Sequence, residues 1–153
     1  MFKHILIPTD GSDLSNEAAE AGVRFAKALG ARVTAFFAAP APTPLVYSHF
    51  IPVGFTSPEE QAQLIEKTAS QYLSSIEKTA AAAGVPCEVT HETNDFPAEA
   101  IIETARVRGC DCIFLASHGR RTRRGPTLGS ETQKVASGAH VPVVIYRVEA
   151  ASG

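Results

Sequence analysis

The sequence has no long apolar run, no strong excess of charge and few cysteines, and each absence excludes a class of protein. No stretch reaches the length of about 18 apolar residues that a membrane-spanning helix needs, so none is expected. The 14 basic and 16 acidic side chains leave a formal net charge of −2, which argues against nucleic acid or a membrane as partner. The first residues, MFKH, lack the pattern of a secretory signal, so we expect a cytoplasmic protein.

The cysteines are only three in number: Cys87, Cys110 and Cys112. In a cytoplasmic chain with 44% hydrophobic residues, they argue against a disulfide scaffold. Cys110 and Cys112 are two residues apart at the start of a predicted strand, so we expect both on one face of the sheet. No second Cys or His pair has zinc-like spacing, so buried thiols and no metal site are predicted.

Strand-like and helix-like segments alternate along the chain. The predicted strands are 3–8, 33–39, 85–91, 112–116 and 141–147. Between them lie segments with helical apolar spacing, at 14–29, from Ser57 to Gly84, from Asp95 to Gly109, and at 130–137. This alternation predicts an α/β fold, a Rossmann-like three-layer sandwich with a five-stranded parallel sheet and helices on both faces.

The length of 153 residues indicates one domain, which we place at 1–148, followed by a frayed tail at 149–153. Within it, the irregular segment 40–57 is rich in proline and is predicted to be a loop. A loop of this length is usually functional or disordered. We interpret it as a flap over the edge of the sheet, with a surface insertion as the alternative.

Two loops carry the residues that point to a function. Residues 112–120 read CIFLASHGR, and Gly129 and Ser130 follow before a predicted helix. A strand, a glycine-bearing loop and a helix N-terminus in this order can hold phosphate, because backbone N–H groups point at its oxygens. Residues 5–12, ILIPTDGS, form a second strand that runs into a loop and then a helix. In a parallel sheet both loops open at the edge where ligands bind.

Taken together, these motifs resemble the universal stress protein family. The matching segments run in order as ILIPTDGS at 5–12, PAEAI at 97–101, SHGR at 117–120, LGS at 128–130 and VPVV at 141–144. The resemblance implies a five-stranded parallel sheet like that of the adenine nucleotide alpha-hydrolases, usually in a dimer. It further implies the ATP-binding branch, whose pattern is glycine, two residues, glycine, nine residues, then glycine and serine or threonine; the other branch binds no nucleotide.

The chain keeps most of that pattern but changes its first glycine. Gly119, a nine-residue spacer, Gly129 and Ser130 match, whereas Ala116 stands at the first position. Alanine costs about 1 kcal/mol if the position needs a positive φ, and is tolerated if it needs only a small side chain. The resemblance thus implies a stress-response or signalling module that binds ATP, ADP or AMP, with or without Mg²⁺. The alternatives are a nucleotide-free dimeric scaffold and, less favoured, a slow ATPase.

The resemblance also implies roles for individual residues. Asp10 would bond the ribose or adenine side of the ligand, and Gly119, Gly129 and Ser130 would face the phosphates. The full predicted nucleotide-binding set is Pro8, Thr9, Asp10, Ala38, Ala116, His118, Gly119, Arg120, Gly129, Ser130 and Glu131. Arg120 begins a run of four arginines within 120–124 that either grips phosphate or is a solvated loop. No catalytic residue is assigned, since His118 lacks a sequence partner and a Walker lysine is absent.

The last strand indicates a partner. In 141–147, apolar residues occupy alternating positions and also most of the positions between them, so both faces of this strand are predicted to be covered. At the edge of a sheet, such a strand is exposed to pairing with another chain. Because the family's dimers form around this strand, we expect a homodimer.

Overall fold

The computed structural model describes residues 1–41, 57–119 and 127–147. Its elements are β1 (His4–Pro8), α1 (Asp13–Leu29), β2 (Arg32–Ala39), α2 (Pro58–Ala83), β3 (Cys87–Thr93), α3 (Pro97–Arg108), β4 (Cys112–Ala116), α4 (Ser130–Gly138) and β5 (Val143–Tyr146). Most of the predicted proline-rich loop, the arginine run with Arg120, and the tail lie outside the described residues. Within the described part, no helix is long and apolar enough to cross a bilayer.

All five strands are parallel and lie in the order β3-β2-β1-β4-β5. The predicted fold class is therefore confirmed. β1 is the centre of the sheet, and its residues Ile5, Leu6 and Ile7 are completely buried, as is typical of a strand covered on both faces. It pairs with β2 over five residues but with β4 only at Ile5–Cys112 and Leu6–Ile113.

Two hydrophobic cores lie on opposite faces of the sheet. One is formed by α1 and α2 against alternate strand residues, among them Ile5, Ile7 and Phe37. The other is formed by α3 and α4 against the intervening residues, among them Leu6 and Phe36. The alternation of strand side chains between the two cores produces the predicted three layers.

Local signals set most helix ends. The Ser12 and Ser57 side chains accept hydrogen bonds from Ser15 N and Glu60 N, so each caps its helix. Three helices are followed by a glycine with a left-handed backbone, Gly30, Gly84 or Gly109.

The prediction for Cys110 and Cys112 was wrong. Cys112 lies in the core with α1, and Cys110 lies in the core with α3. The cause is that Cys110 still belongs to the C-terminal turn of α3, where its amide donates to Ala105 O at 2.9 Å. The two-residue alternation of a strand begins only at Cys112.

Two further boundaries differ from the sequence-based expectation for the same kind of reason. β3 begins at Cys87 rather than at residue 85, because Val85 N donates to Ala80 O in the last turn of α2. Asp95 does not open α3, since its carboxylate accepts from Ala41 N at 2.9 Å while Phe96 occupies the N-cap. Tertiary hydrogen bonds thus override the local signals at both places.

Candidate functional site

The order of the strands creates a crevice between β1 and β4. The chain runs outward from β1 to β2 and β3, then returns to place β4 on the other side. Beyond the ends of β1 and β4 the two backbone segments diverge. Thr9 N, after β1, donates to Phe36 O of β2 at 2.8 Å, whereas Ser117 N, after β4, donates to Tyr146 O of β5 at 2.9 Å. Each loop therefore bonds away from the other. Such a switch point, at the carboxyl ends of parallel strands, is where ligands bind in open α/β sheets.

Asp10 and Gly119 meet across this crevice. A Cβ atom added to Gly119 would lie 2.8 Å from Asp10 Oδ2, which is closer than carbon and oxygen approach without displacement. The other oxygen, Asp10 Oδ1, accepts from Ser12 N at 2.9 Å. The carboxylate is thus oriented by its own loop and lies against Gly119, where an added side chain would have to displace it.

The loop after β1 is shaped by Gly11 and Thr9. Gly11 has φ of 79°, in the left-handed region, and a Cβ there would lie 2.2 Å from Tyr72 Cζ. Thr9 is buried, and its hydroxyl lies 3.1 Å from both Gly11 N and Ser15 Oγ. The loop is therefore held by hydrogen bonds of the Thr9 hydroxyl and is confined by the Tyr72 ring of α2.

The connection between β4 and α4 is closed at its base by side chains and backbone. Gly129 N donates to Ser117 O at 2.8 Å, and Thr132 Oγ1 donates to Ala116 O at 2.9 Å. The His118 ring contacts both Ser117 Oγ and Thr127 O. The N-terminus of α4 is consequently fixed beside the end of β4.

The first turn of α4 begins beside the end of β4, and the described residues provide no side-chain cap for it. Gly129 is the N-cap and has no side chain to accept from the amides of residues 130–132, which also have no partner within the helix. The sequence assigned Gly129 N–H itself to phosphate, but that amide is occupied by Ser117 O. The donors available to an anion are therefore those of Ser130 and the residues after it.

Ala116 is accommodated without backbone strain. No described residue other than glycine has a positive φ, so the steric cost considered for alanine here does not arise. Its methyl group packs with Leu14 and Ala18 at the start of α1, and Tyr146 lies against the same cluster. The fold thus accepts a small side chain where the sequence pattern of ATP-binding relatives has glycine.

The other predicted residues are divided between the crevice and the fold. Pro8 ends β1, and Ala38 lies near the end of β2, packed against the core with α3; both are half-buried. Glu131 points away from the crevice, because its Oε2 accepts from Ala98 N at 3.0 Å and its Oε1 lies 3.2 Å from Lys134. It caps the first turn of α3, whose own N-cap, Phe96, has no polar side chain.

Sequence reasoning missed Tyr72, which restricts the loop at Gly11, and the cap that Glu131 provides for α3. It also missed a buried polar cluster at the opposite, amino-terminal edge of the sheet. There His4 Nε2 lies 2.6 Å from Thr34 Oγ1, which donates to Glu88 Oε1 at 2.8 Å. Among the described residues, His4 Nδ1 has no hydrogen-bond partner. Burial, reinforced by the charge of Arg32, lowers the pKa of His4. No local pattern in the sequence indicates these contacts, which join distant elements.

The thiols carry no chemistry in the folded protein. Burial raises the pKa of Cys87, Cys110 and Cys112 to about 11, so each stays protonated and weakly reactive at neutral pH. Across the described part of the chain, no group of three His, Cys, Asp or Glu side chains is placed to hold a metal ion.

Comparison with known proteins identifies the family. The model of the universal stress protein family matches residues 1–147, and the chain belongs to this family. It is 30% identical over 148 residues to the universal stress protein MJ0531 of Methanocaldococcus jannaschii, covering 96% of this chain and 83% of that protein. It is also 30% identical to YxiE of Bacillus subtilis, covering 96% of this chain and all of that protein.

Solved structures show the same fold at lower identity. The hypothetical protein MJ0577 superposes with a TM-score of 0.80 at 22% identity, covering 99% of both chains. A universal stress protein in complex with cAMP gives 0.70 at 22% identity, covering 95% of this chain and 97% of that one. A family member from Arabidopsis thaliana with AMP bound gives 0.68 at 14% identity, covering 97% of this chain and 93% of the other.

Proposed function

We propose that this protein is a stress-response or signalling module that binds an adenine nucleotide, ATP or its products ADP and AMP, in the crevice between β1 and β4. One observation carries the proposal: Asp10, Gly119 and the N-terminus of α4 converge at the switch point of the sheet. A carboxylate, a glycine backbone and the N-terminal amides of a helix side by side suit a ligand with both hydroxyl and phosphate groups.

The phosphates belong at the α4 end of the crevice. The amides at the start of α4 supply donors and the positive end of the helix dipole, and Gly119 leaves room for close approach. Arg120 and the arginines after it would add charge there. Asp10 then takes a ribose hydroxyl as donor, since its carboxylate can only accept. Pro8, Thr9 and the backbone of Ala38 form the wall for the base.

Relatives of known structure support this class of ligand. Proteins of the same fold have been solved with cAMP and with AMP. Those structures differ from this chain at more than three quarters of the aligned positions, so they support the class of ligand rather than its identity. The unstrained Ala116 removes the backbone argument for a nucleotide-free scaffold.

Binding rather than hydrolysis is the proposed activity. The Glu131 carboxylate, which could have positioned a metal or a water, is engaged with Ala98 N and Lys134. Asp10 remains the carboxylate that faces Gly119, and its Oδ1 is already bonded to Ser12 N. Mg²⁺ would therefore enter bound to the phosphates of the ligand.

Isothermal titration of nucleotide-stripped protein tests the proposal. ATP, ADP, AMP and cAMP are titrated with and without Mg²⁺, and at least one is expected to bind at micromolar concentration or below. Gly119→Val should abolish binding because the new side chain meets Asp10 Oδ2. Asp10→Asn should weaken it about tenfold to a hundredfold, as expected for loss of a charged acceptor. Ala136→Val, on the exposed face of α4, is the matched control.

A failure to bind any nucleotide would favour the alternative function, a nucleotide-free scaffold. If the wild-type protein releases no heat and shows no thermal shift at millimolar nucleotide, the crevice is not a nucleotide site. The function would then lie in the surface of a nucleotide-free scaffold.

We also propose that the protein is a cytoplasmic homodimer paired through β5. Among the described strands β5 is an edge of the sheet, and its four residues are all half-buried in the single chain. Val144→Asp places a charge on this strand and should shift sedimentation from dimer to monomer, whereas Val107→Asp, at an exposed position of α3, should not. A wild-type monomer, or an unchanged dimer in Val144→Asp, would contradict the proposal.

A further inference from the structure

The His118 side chain is buried, and both of its ring nitrogens have partners. Only 5% of the residue is exposed, although it lies in a loop. Nδ1 lies 3.0 Å from Ser117 Oγ, and Nε2 contacts Thr127 O. The buried ring therefore has a polar contact at each of its two nitrogens.

The partners determine the tautomer of this ring. A backbone carbonyl can only accept, so Nε2 must carry the proton that is donated to Thr127 O. Nδ1 is then the acceptor and receives the hydroxyl proton of Ser117. In this arrangement each ring nitrogen has a hydrogen-bond partner.

These bonds join the two ends of the β4–α4 connection. Ser117 and His118 leave β4, and Thr127 leads into α4, nine residues after the histidine. Beside this contact, Gly129 N donates to Ser117 O at 2.8 Å. Together they hold Gly119 and the first turn of α4 at a set separation, and these are the two segments proposed to face the phosphates.

We infer that His118 is a positioning residue, a clamp that presets the backbone of the phosphate-facing segments before any ligand arrives. It acts through Thr127 and Gly129 and has no role in chemistry. Its effect on ligand affinity rests on the proposed nucleotide function, whereas its effect on the backbone does not. A preset site binds more tightly because the ordering cost is met during folding.

Two variants distinguish the hydrogen bond to Thr127 O from mere packing of the His118 side chain. In His118→Gln the amide nitrogen reaches the position of Nε2 and can still donate to Thr127 O. In His118→Asn the shorter side chain reaches only the Nδ1 position and leaves Thr127 O without its donor. The readouts are hydrogen exchange of the Gly129 amide, ¹⁵N resonances of the His118 ring in the wild type, and ATP affinity by titration.

The wild-type ring should carry a proton on Nε2, which faces the carbonyl oxygen of Thr127. His118→Asn should lose protection of the Gly129 amide and bind ATP more weakly, each by about fivefold to tenfold, the range of one net hydrogen bond. His118→Gln should stay within about twofold of the wild type in both readouts, because the donor is restored.

Equal behaviour of the two variants would overturn the inference, as would a ring protonated at Nδ1 alone. A wild-type protein that binds none of the titrated nucleotides would refute the proposed function. The clamp would still be tested by hydrogen exchange and by the ring resonances. Retained Gly129 protection in His118→Asn would refute the clamp whatever the result for ATP.

Discussion

Replacing Gly11 by alanine tests how the loop after β1 is held. Two features of the position oppose any side chain. Its φ of 79° lies in the region that L-residues avoid, and an added Cβ would lie 2.2 Å from Tyr72 Cζ. The Tyr72 ring is held edge-on against Phe37, with centroids 5.1 Å apart, so moving it disturbs a second ring at the end of β2.

The cost of the backbone strain and the cost of the clash with Tyr72 can be estimated separately. The left-handed backbone costs alanine about 1–2 kcal/mol. Overpacking against the tyrosine ring adds about 1–3 kcal/mol. Gly11→Ala should therefore lower the free energy of unfolding by about 2–5 kcal/mol. In a chain of this length, a loss of 3 kcal/mol lowers Tm by roughly 6–12 °C.

Gly30 provides a matched control, because its φ is 67° and nothing lies within 4 Å of the added Cβ. Gly30→Ala should cost only the backbone part, about 1–2 kcal/mol. Urea and thermal denaturation of both variants, and of Gly11→Ala with Tyr72→Ala, measure the difference. In the Tyr72→Ala background, the cost of Gly11→Ala should fall to that of Gly30→Ala. Equal losses in the two single variants, with no coupling to Tyr72, would refute the reasoning.

Three further predictions concern buried polar groups. The fold lowers the pKa of His4 below 6.5, so the unfolded chain binds more protons and the free energy of unfolding should fall as pH drops below about 6.5. In urea denaturation at several pH values, His4→Gln should show a smaller fall than the wild type. Thr132→Val leaves Ala116 O without its donor and should cost about 1–3 kcal/mol, whereas Thr132→Ser should restore most of it; equal losses in denaturation would contradict this. Cys110 and Cys112 should resist iodoacetamide at neutral pH until the protein is unfolded by urea, and fast labelling of native protein, followed by mass spectrometry, would show the burial to be wrong.

The parts of the fold that follow from local chemistry were predictable. Ser57 before Pro58 marks the start of α2, and Gly109 marks the end of α3, because each residue satisfies backbone groups within one turn. The edge at which Asp10 and Gly119 meet also followed, since all carboxyl ends of a parallel sheet lie on one side.

The remaining features depend on contacts between distant elements. Glu131 was predicted to bind nucleotide, yet its carboxylate caps α3 across the α3–α4 contact at 3.0 Å from Ala98 N. Whether Ala116 would be strained depended on a φ value that only the fold supplies. The restriction of Gly11 by Tyr72 joins a loop to a helix more than fifty residues further along the chain. No pattern within a short window encodes such pairs.

The pairing of β1 with β4 joins opposite ends of the chain. Ile5 lies beside Cys112, and Leu6 beside Ile113, with three of the four helices between them in sequence. Contacts of such sequence separation carry a large loop-closure cost in conformational entropy. The crevice beyond them depends on this long-range pairing. Any ligand that fills it draws protein out of partly folded forms by mass action, so its concentration sets how many copies survive heat or proteolysis.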